Sequence, residues 1–140
     1  MISELQVRAA LNGIVDPCSV AAGCAAGLDD MGLVRCVELA VRPEGTHVSV
    51  TVAVTEYGCL MGAPFASEAY RTLGALPGIA SVEVKLDDRF DWDPVDMSES
   101  YRERLLRHRQ IRGGVIPIRP LPAATPGSAA TEPLRSSCKT

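Results

Sequence analysis

Cys59 is the residue whose type and place point most directly to chemistry. It follows a β-patterned run that ends near Thr55 and precedes a helical run that opens near Pro64. The connection Thr55-Glu56-Tyr57-Gly58 is tight, so the thiol is expected beside a helix N-terminus. There the positive end of the helix dipole and free backbone N–H groups favour the thiolate. A thiolate can ligate a soft metal or attack an electrophile. A small thiol at a helix start can equally well fill space. Nucleophilic catalysis would also need a base within reach. The sequence holds two histidines, His47 and His108. His47 opens the strand that Thr55 closes, and eight residues of strand at ~3.3 Å each separate the two by roughly 26 Å. His108 lies among arginines and reads as a solvated surface residue. A stand-alone Cys–His enzyme is therefore disfavoured.

The other cysteines are Cys18, Cys24, Cys36 and Cys138. The total is odd and no Cys-x-x-Cys occurs, so neither a closed disulfide set nor a zinc ribbon fits. Cys36 falls in a strand pattern and is expected to pack. Cys138 lies near the end of the chain and is assigned no role.

The elements that must position these thiols follow from periodicity. Ser3-Glu4-Leu5-Gln6 reads as a capping box that opens a helix with Val7, Leu11 and Ile14 on its apolar face. Asp16-Pro17 is expected to stop it. Cys18 to Gly27, rich in Ala and Gly, reads as a loop with room for one helical turn. Val37, Leu39 and Val41 alternate with polar residues, as do Val48, Val50, Val52 and Val54. Pro43-Glu44-Gly45 joins the two runs as a hairpin. Pro64 to Leu76 reads as a helix with Phe65, Ala69, Leu73 and Leu76 inward, ended by Pro77-Gly78. Val82, Val84 and Leu86 give a third strand, and Ser98 opens a last helix through Tyr101, Leu105 and Leu106. The order is helix, strand, strand, helix, strand, helix. It predicts an α+β domain with a small mixed three-stranded sheet packed with helices.

Several of these residues together resemble the iron–sulfur cluster assembly domain, the family of SufT-like and PaaD-like metal–sulfur cluster assembly factors. They are Asp16-Pro17, Asp30-Met31-Gly32-Leu33-Val34, Thr55-x-x-Gly58-Cys59, Gly78-Ile79, Trp92-x-Pro94 and Met97-Ser98. The resemblance spans about residues 4–112 and lies in the order and spacing of the motifs. It implies a compact domain that matures iron–sulfur or other metal centres on client proteins. It also implies that Asp30, Thr55 and Cys59 gather at one end of the sheet, with Asp30 and Thr55 supporting the thiolate. Capping and turn formation are the plainer roles for those two. Two positions depart from the family pattern. Cys18 stands where the family has glutamate, and Leu60 follows the cysteine where the family has proline. Cys18 or Cys24 could thus join Cys59 as a thiolate ligand, or both could be loop and core residues.

Composition sets the outer limits. The chain has 140 residues, enough for one domain. The net charge of −3 argues against a general nucleic-acid binder, which would need a basic excess. No apolar run approaches the roughly 20 residues of a membrane span. The start, Met1-Ile2-Ser3-Glu4, is unlike a secretory signal, so a cytoplasmic location is expected. Residues 113–140 hold five prolines and read as an extended tail after a domain at 1–112. Arg119, Arg135 and Lys139 against Glu132 give that tail +2, which leaves −5 on residues 1–112.

Asp87, Asp88, Asp91, Asp93 and Asp96 lack the spacing of a calcium loop and read as a solvated loop. Arg102, Arg104, Arg107, Arg109 and Arg112 crowd the last helix, as a docking face for an acidic client or as neutralisers of that loop. Phe90 and Trp92 read as anchors over the sheet.

The expected function is a non-catalytic adaptor or carrier in the maturation of metal centres. Cys59 would be the metal or cluster contact, with Cys18 and Cys24 as further ligands and Asp30, Thr55 and Gly58 in support. The cargo would be a transient iron–sulfur cluster or iron, with no other cofactor. The partners would be a client metalloprotein or the cluster assembly machinery, with a homodimer allowed and neither nucleic acid nor membrane involved. The alternative is a scaffold subunit of an enzyme complex, with the Pro-rich tail laid on its partner and Cys59 merely packed.

Overall fold

A computed structural model describes residues 1–56 and 58–111. The boundary expected at 112, the stretch 113–140 and Cys138 lie outside the described residues. The first helix, α1 (Glu4–Leu11), opens with the expected capping box. Ser3 Oγ accepts from the Gln6 N–H while the Gln6 side chain accepts from the Ser3 N–H at 2.8 Å. Val7 and Leu11 are fully buried. The helix ends earlier than expected, at Asn12. Asp16-Pro17 instead opens a second helix, α2 (Pro17–Ala21), with Asp16 as its N-cap. The same dipeptide that halts one helix suits the start of another, because proline lacks only the N–H that a first turn leaves unpaired.

Strands β1 (Val34–Arg42) and β2 (Gly45–Val52) pair antiparallel through the two-residue turn Pro43-Glu44. Helix α3 (Gly62–Gly74) then returns the chain so that β3 (Ile79–Leu86) runs parallel to β2. The sheet order β1-β2-β3 is mixed, as expected, with β2 central. Val48, Val50 and Val52 of β2 are completely buried, and α1 and α3 pack on the sheet with Val7, Leu11, Phe65, Ala69 and Leu73 in one core. Each of the larger of these side chains, Ala69 apart, contributes about 1.5–3 kcal/mol on leaving water. The alternate residues of β2 meet polar partners on β3. Ser49 Oγ donates to Glu83 Oε2 at 3.1 Å, and His47 Nδ1 meets Ser81 Oγ.

A 3₁₀ turn (Pro94–Asp96) and α4 (Glu99–Ile111) complete the described chain. The acidic loop that links β3 to them is not simply solvated. Arg35, 9% exposed in its side chain, reaches Asp91 at 2.7 Å, Asp96 at 3.6 Å and Asp87 at 3.9 Å. Arg89 closes on Asp87 at 2.6 Å. The loop thus takes counterions from β1 and from within itself. On α4, Arg104 approaches Asp30 at 3.8 Å and lies over the Tyr101 ring, and Arg107 pairs with Glu103. Trp92 is half-buried and donates to the Met31 carbonyl at 2.7 Å, whereas Phe90 is 45% exposed. His108 is half-buried with its Nε2 shielded, not solvated as expected. Among the described residues no helix is long and apolar enough to cross a membrane.

Candidate functional site

The chain near the start of α2 is tied to the segment just beyond β2. A chain of backbone hydrogen bonds does it. The Asp16 N–H donates to Ala26 at 2.9 Å and the Leu28 N–H to Ile14 at 3.0 Å. The Leu33 N–H donates to Leu28 at 2.9 Å, and the Ala53 N–H to Leu33 at 2.7 Å. The start of α2 is thereby tied, through the 26–33 segment, to the residues just beyond β2.

Cys59 sits in that exit, half-buried against the core, with its N–H donating to the Glu56 carbonyl at 3.2 Å. Gly58 before it has φ +75°, a conformation that costs L side chains roughly 1–2 kcal/mol. A Cβ there would meet nothing within 4 Å, so the glycine is required by the turn and not by space. Two residues after the thiol, α3 begins without a side-chain cap at Met61, which leaves its first N–H groups unsatisfied by the chain's own caps. Leu60 is 90% exposed. Thr55 lies half-buried in the bend that leaves β2.

Cys18 occupies the first turn of α2 and is exposed. The negative charge of Asp16, first of all, pushes its thiol up from the usual range. Burial and the charges of Cys59 and Glu56 act in the same direction. Cys18 and Cys59 therefore share one electrostatic neighbourhood. Asp16 itself is buried, which pushes its carboxyl up, while the N–H groups of Ser19 and Cys18 hold it down less strongly. The Ser19 N–H bond is 2.9 Å.

Cys24 is elsewhere. It is buried in the hydrophobic core, and its carbonyl accepts the Tyr101 hydroxyl at 2.8 Å. Cys36 is half-buried in β1. Asp30 stands near the end of the sheet but its carboxylate is engaged. Ser98 Oγ donates to it at 2.7 Å and Asn12 Nδ2 at 3.1 Å, with Arg104 beyond. It clasps the end of α1 to the start of α4. Sequence reasoning missed Asp16 as the charge beside Cys18; its signal was an Asp-Pro dipeptide read as a stop. It also missed Arg35, an arginine inside an apolar strand.

The donor set suits a soft metal in kind, since thiolates are the ligands of iron–sulfur clusters. In number, it is a pair. No group of three His, Cys, Asp or Glu side chains that could hold a metal ion stands together among the described residues.

Comparison with known proteins adds a family. A family model described as iron–sulfur cluster assembly protein matches residues 4–86, from the first residue of α1 to the last of β3. The match holds every candidate site residue and stops short of residue 112, to which the sequence resemblance extends. No curated protein matches. The crystal structure of a domain of unknown function, DUF59, from Bacillus anthracis aligns with a TM-score of 0.58 at 22% identity. It covers 73% of this chain and 90% of its own, and so shares the fold. The solution structure of a Mycobacterium tuberculosis protein associated with Fe–S complex assembly and repair aligns at 21% identity and a TM-score of 0.43. That alignment covers 72% of this chain and 81% of the other.

Proposed function

The chain belongs to the iron–sulfur cluster assembly protein family, and from that premise we propose that it is a non-catalytic adaptor or carrier in the maturation of metal centres on client proteins. Iron or an iron–sulfur cluster is its cargo. Cys59 is the contact to that cargo, and Cys18 is the second thiol. Thr55 and Gly58 shape the turn that presents Cys59, and Asp30 holds the frame behind it. The partners are a client metalloprotein and the assembly machinery that supplies it. The work is cytoplasmic.

One observation supports this reading above the others. Cys59 lies on the connection between β2 and α3, close to solvent, with Cys18 in its electrostatic neighbourhood. No histidine sits there to make Cys59 a triad nucleophile, because His47 lies at the far end of β2 against Ser81. The test is client maturation with Cys59→Ala. The variant should fold, because Cys59 is only partly buried, and the client should emerge with its iron and sulfide largely lost. A client with unchanged metal content from the variant strain would sink the proposal.

A further inference from the structure

The arginines of α4 could serve the acidic loop or an acidic partner, and the structure removes the first use. The ion pairs of that loop run to Arg35 on β1 and to Arg89 within the loop itself. On α4, Arg104 turns inward to Asp30 at 3.8 Å, and Arg107 pairs within the helix with Glu103 at 3.9 Å. Arg102 and Arg109 are exposed, and among the described residues neither has an ion-pair partner. We infer that the outward stripe Arg102, Leu106 and Arg109 of α4 docks an acidic segment of a partner protein.

Spacing, mounting and charge carry it. Residues at i, i+4 and i+7 line up along one face of a helix. Tyr101, Leu105 and His108 form the inward line. Tyr101 is buried, Leu105 packs against the core and His108 is half-buried. Arg102, Leu106 and Arg109 form the next line, one residue on, and it faces out, with Leu106 57% exposed. The helix beneath it is anchored. The Tyr101 hydroxyl donates to the Cys24 carbonyl at 2.8 Å, and the Ser98 hydroxyl, just before the helix, donates to Asp30 at 2.7 Å. A partner therefore meets a preformed ridge, which lowers the ordering cost of binding. Arginine is enriched at interfaces, and its planar fork grips a carboxylate through two N–H groups. An apolar side chain between two such forks gives the contact a dry centre. Residues 1–112 carry −5, the chain's −3 less the +2 of residues 113–140. An acidic partner is thus repelled by most of the domain and accepted at this stripe, which sets its orientation. The stripe lies beyond residue 86, outside the segment that the family model matches, and it depends on neither thiol.

The test uses the full chain and a fluorescein-labelled peptide of repeated Glu-Glu-Leu-Glu, followed by anisotropy at low ionic strength. The peptide should bind, and more weakly as salt is added. Arg102→Glu combined with Arg109→Glu should weaken binding about tenfold or more, since like charges then face each other. Leu106→Ser should give a smaller loss. Arg42→Glu, a charge reversal at an exposed position of β1, should leave binding nearly unchanged. All four positions are exposed, so the variants should unfold in denaturant as the parent does. A peptide that does not bind, a double reversal that leaves binding intact, or a loss from Arg42→Glu as large as that from the stripe overturns the proposal. An oligothymidylate of matched charge that binds as tightly as the peptide overturns it too, because the stripe would then be taking phosphate. None of these outcomes touches the carrier reading, which stands or falls on client maturation with Cys59→Ala.

Discussion

Two polar corners of this domain use their residues in opposite ways. At one, where β1 meets the 87–98 segment, nearly every charged side chain is spoken for. Arg35 gathers Asp87, Asp91 and Asp96, Arg89 closes on Asp87, and Asp30 joins Asn12 to Ser98. At the other, where α2 meets the exit of β2, Cys18 and Leu60 face solvent and Cys59 is half covered. The first corner is built to hold. The second is held by backbone bonds and by the buried Asp16 and Ser19 side chains, which leaves Cys18 and Leu60 facing outward. A cluster of conspicuous residues is thus a poor guide to function until its partners are counted. The aspartates, the more numerous group, are absorbed by structure. The thiols are not.

The contrast can be broken most severely at Gly32. It has φ +73°, and a Cβ there would overlap the Asp96 carbonyl and stand 2.8 Å from the Asp96 Cβ. Gly32→Ala should cost about 4 kcal/mol, the sum of left-handed strain and displaced backbone, read from denaturant unfolding. A variant as stable as the parent would mean the locked corner yields easily. Next comes Arg35→Met. Asp87 and Asp96 have side chains only 4% and 3% exposed, and although Asp87 keeps Arg89, removing Arg35 takes a cation from two buried carboxylates. The expected loss is about 3 kcal/mol, in the range for breaking a buried pair.

A smaller effect is set by acid. The Arg89 guanidinium, foremost, and then its N–H and the charges of Arg89 and Arg35 hold the Asp87 carboxyl below its ordinary range, against the opposing pull of burial. A carboxyl lowered on folding stabilises the fold above its unfolded value and loses that contribution as pH falls through the folded one. Stability should therefore be flat in this respect near neutrality and decline below about pH 4. Asp87→Asn should flatten that decline. The smallest effect separates the open corner from an ordinary surface. Cys18 is exposed, yet Asp16 beside it pushes its thiol up. Its alkylation by iodoacetamide near pH 8 should be slower than that of a free exposed thiol, because less thiolate is present. Asp16→Asn should quicken it; a rate unchanged by that substitution would remove Asp16 as the cause.

Much of the frame was legible in the sequence, because its signals are local. The Ser3–Gln6 capping box, the alternate valines of β2 and the spacing of Phe65, Ala69 and Leu73 each carry their instruction within a few residues. The family is also legible, since it rests on ordered motifs. The pairings that decide the two corners are not local. Arg35 meets residues more than fifty positions away, and Asp30 meets Ser98 across almost the length of the domain. Nothing in the neighbourhood of either announces its partner. Cys18 and Cys59 could be suspected as a pair only from residue type. What ties their segments to one another is the relay through Leu28 and Leu33, made of main-chain atoms and so silent in side-chain patterns.

The parallel pairing of β2 with β3 also sets an order in time. The β1–β2 hairpin closes over two residues, an event of about 1–10 μs, while β3 must wait for α3 to fold back across the sheet. Asp87, Asp91 and Asp96 follow β3, so the ion cluster on Arg35 assembles after the sheet that bears it. Arg35→Met should then hasten unfolding and leave the refolding rate nearly as it was, a split that stopped-flow kinetics would read directly. On that order the lock should close last, outside the transition state, and its loss should be felt as faster reopening of the finished domain.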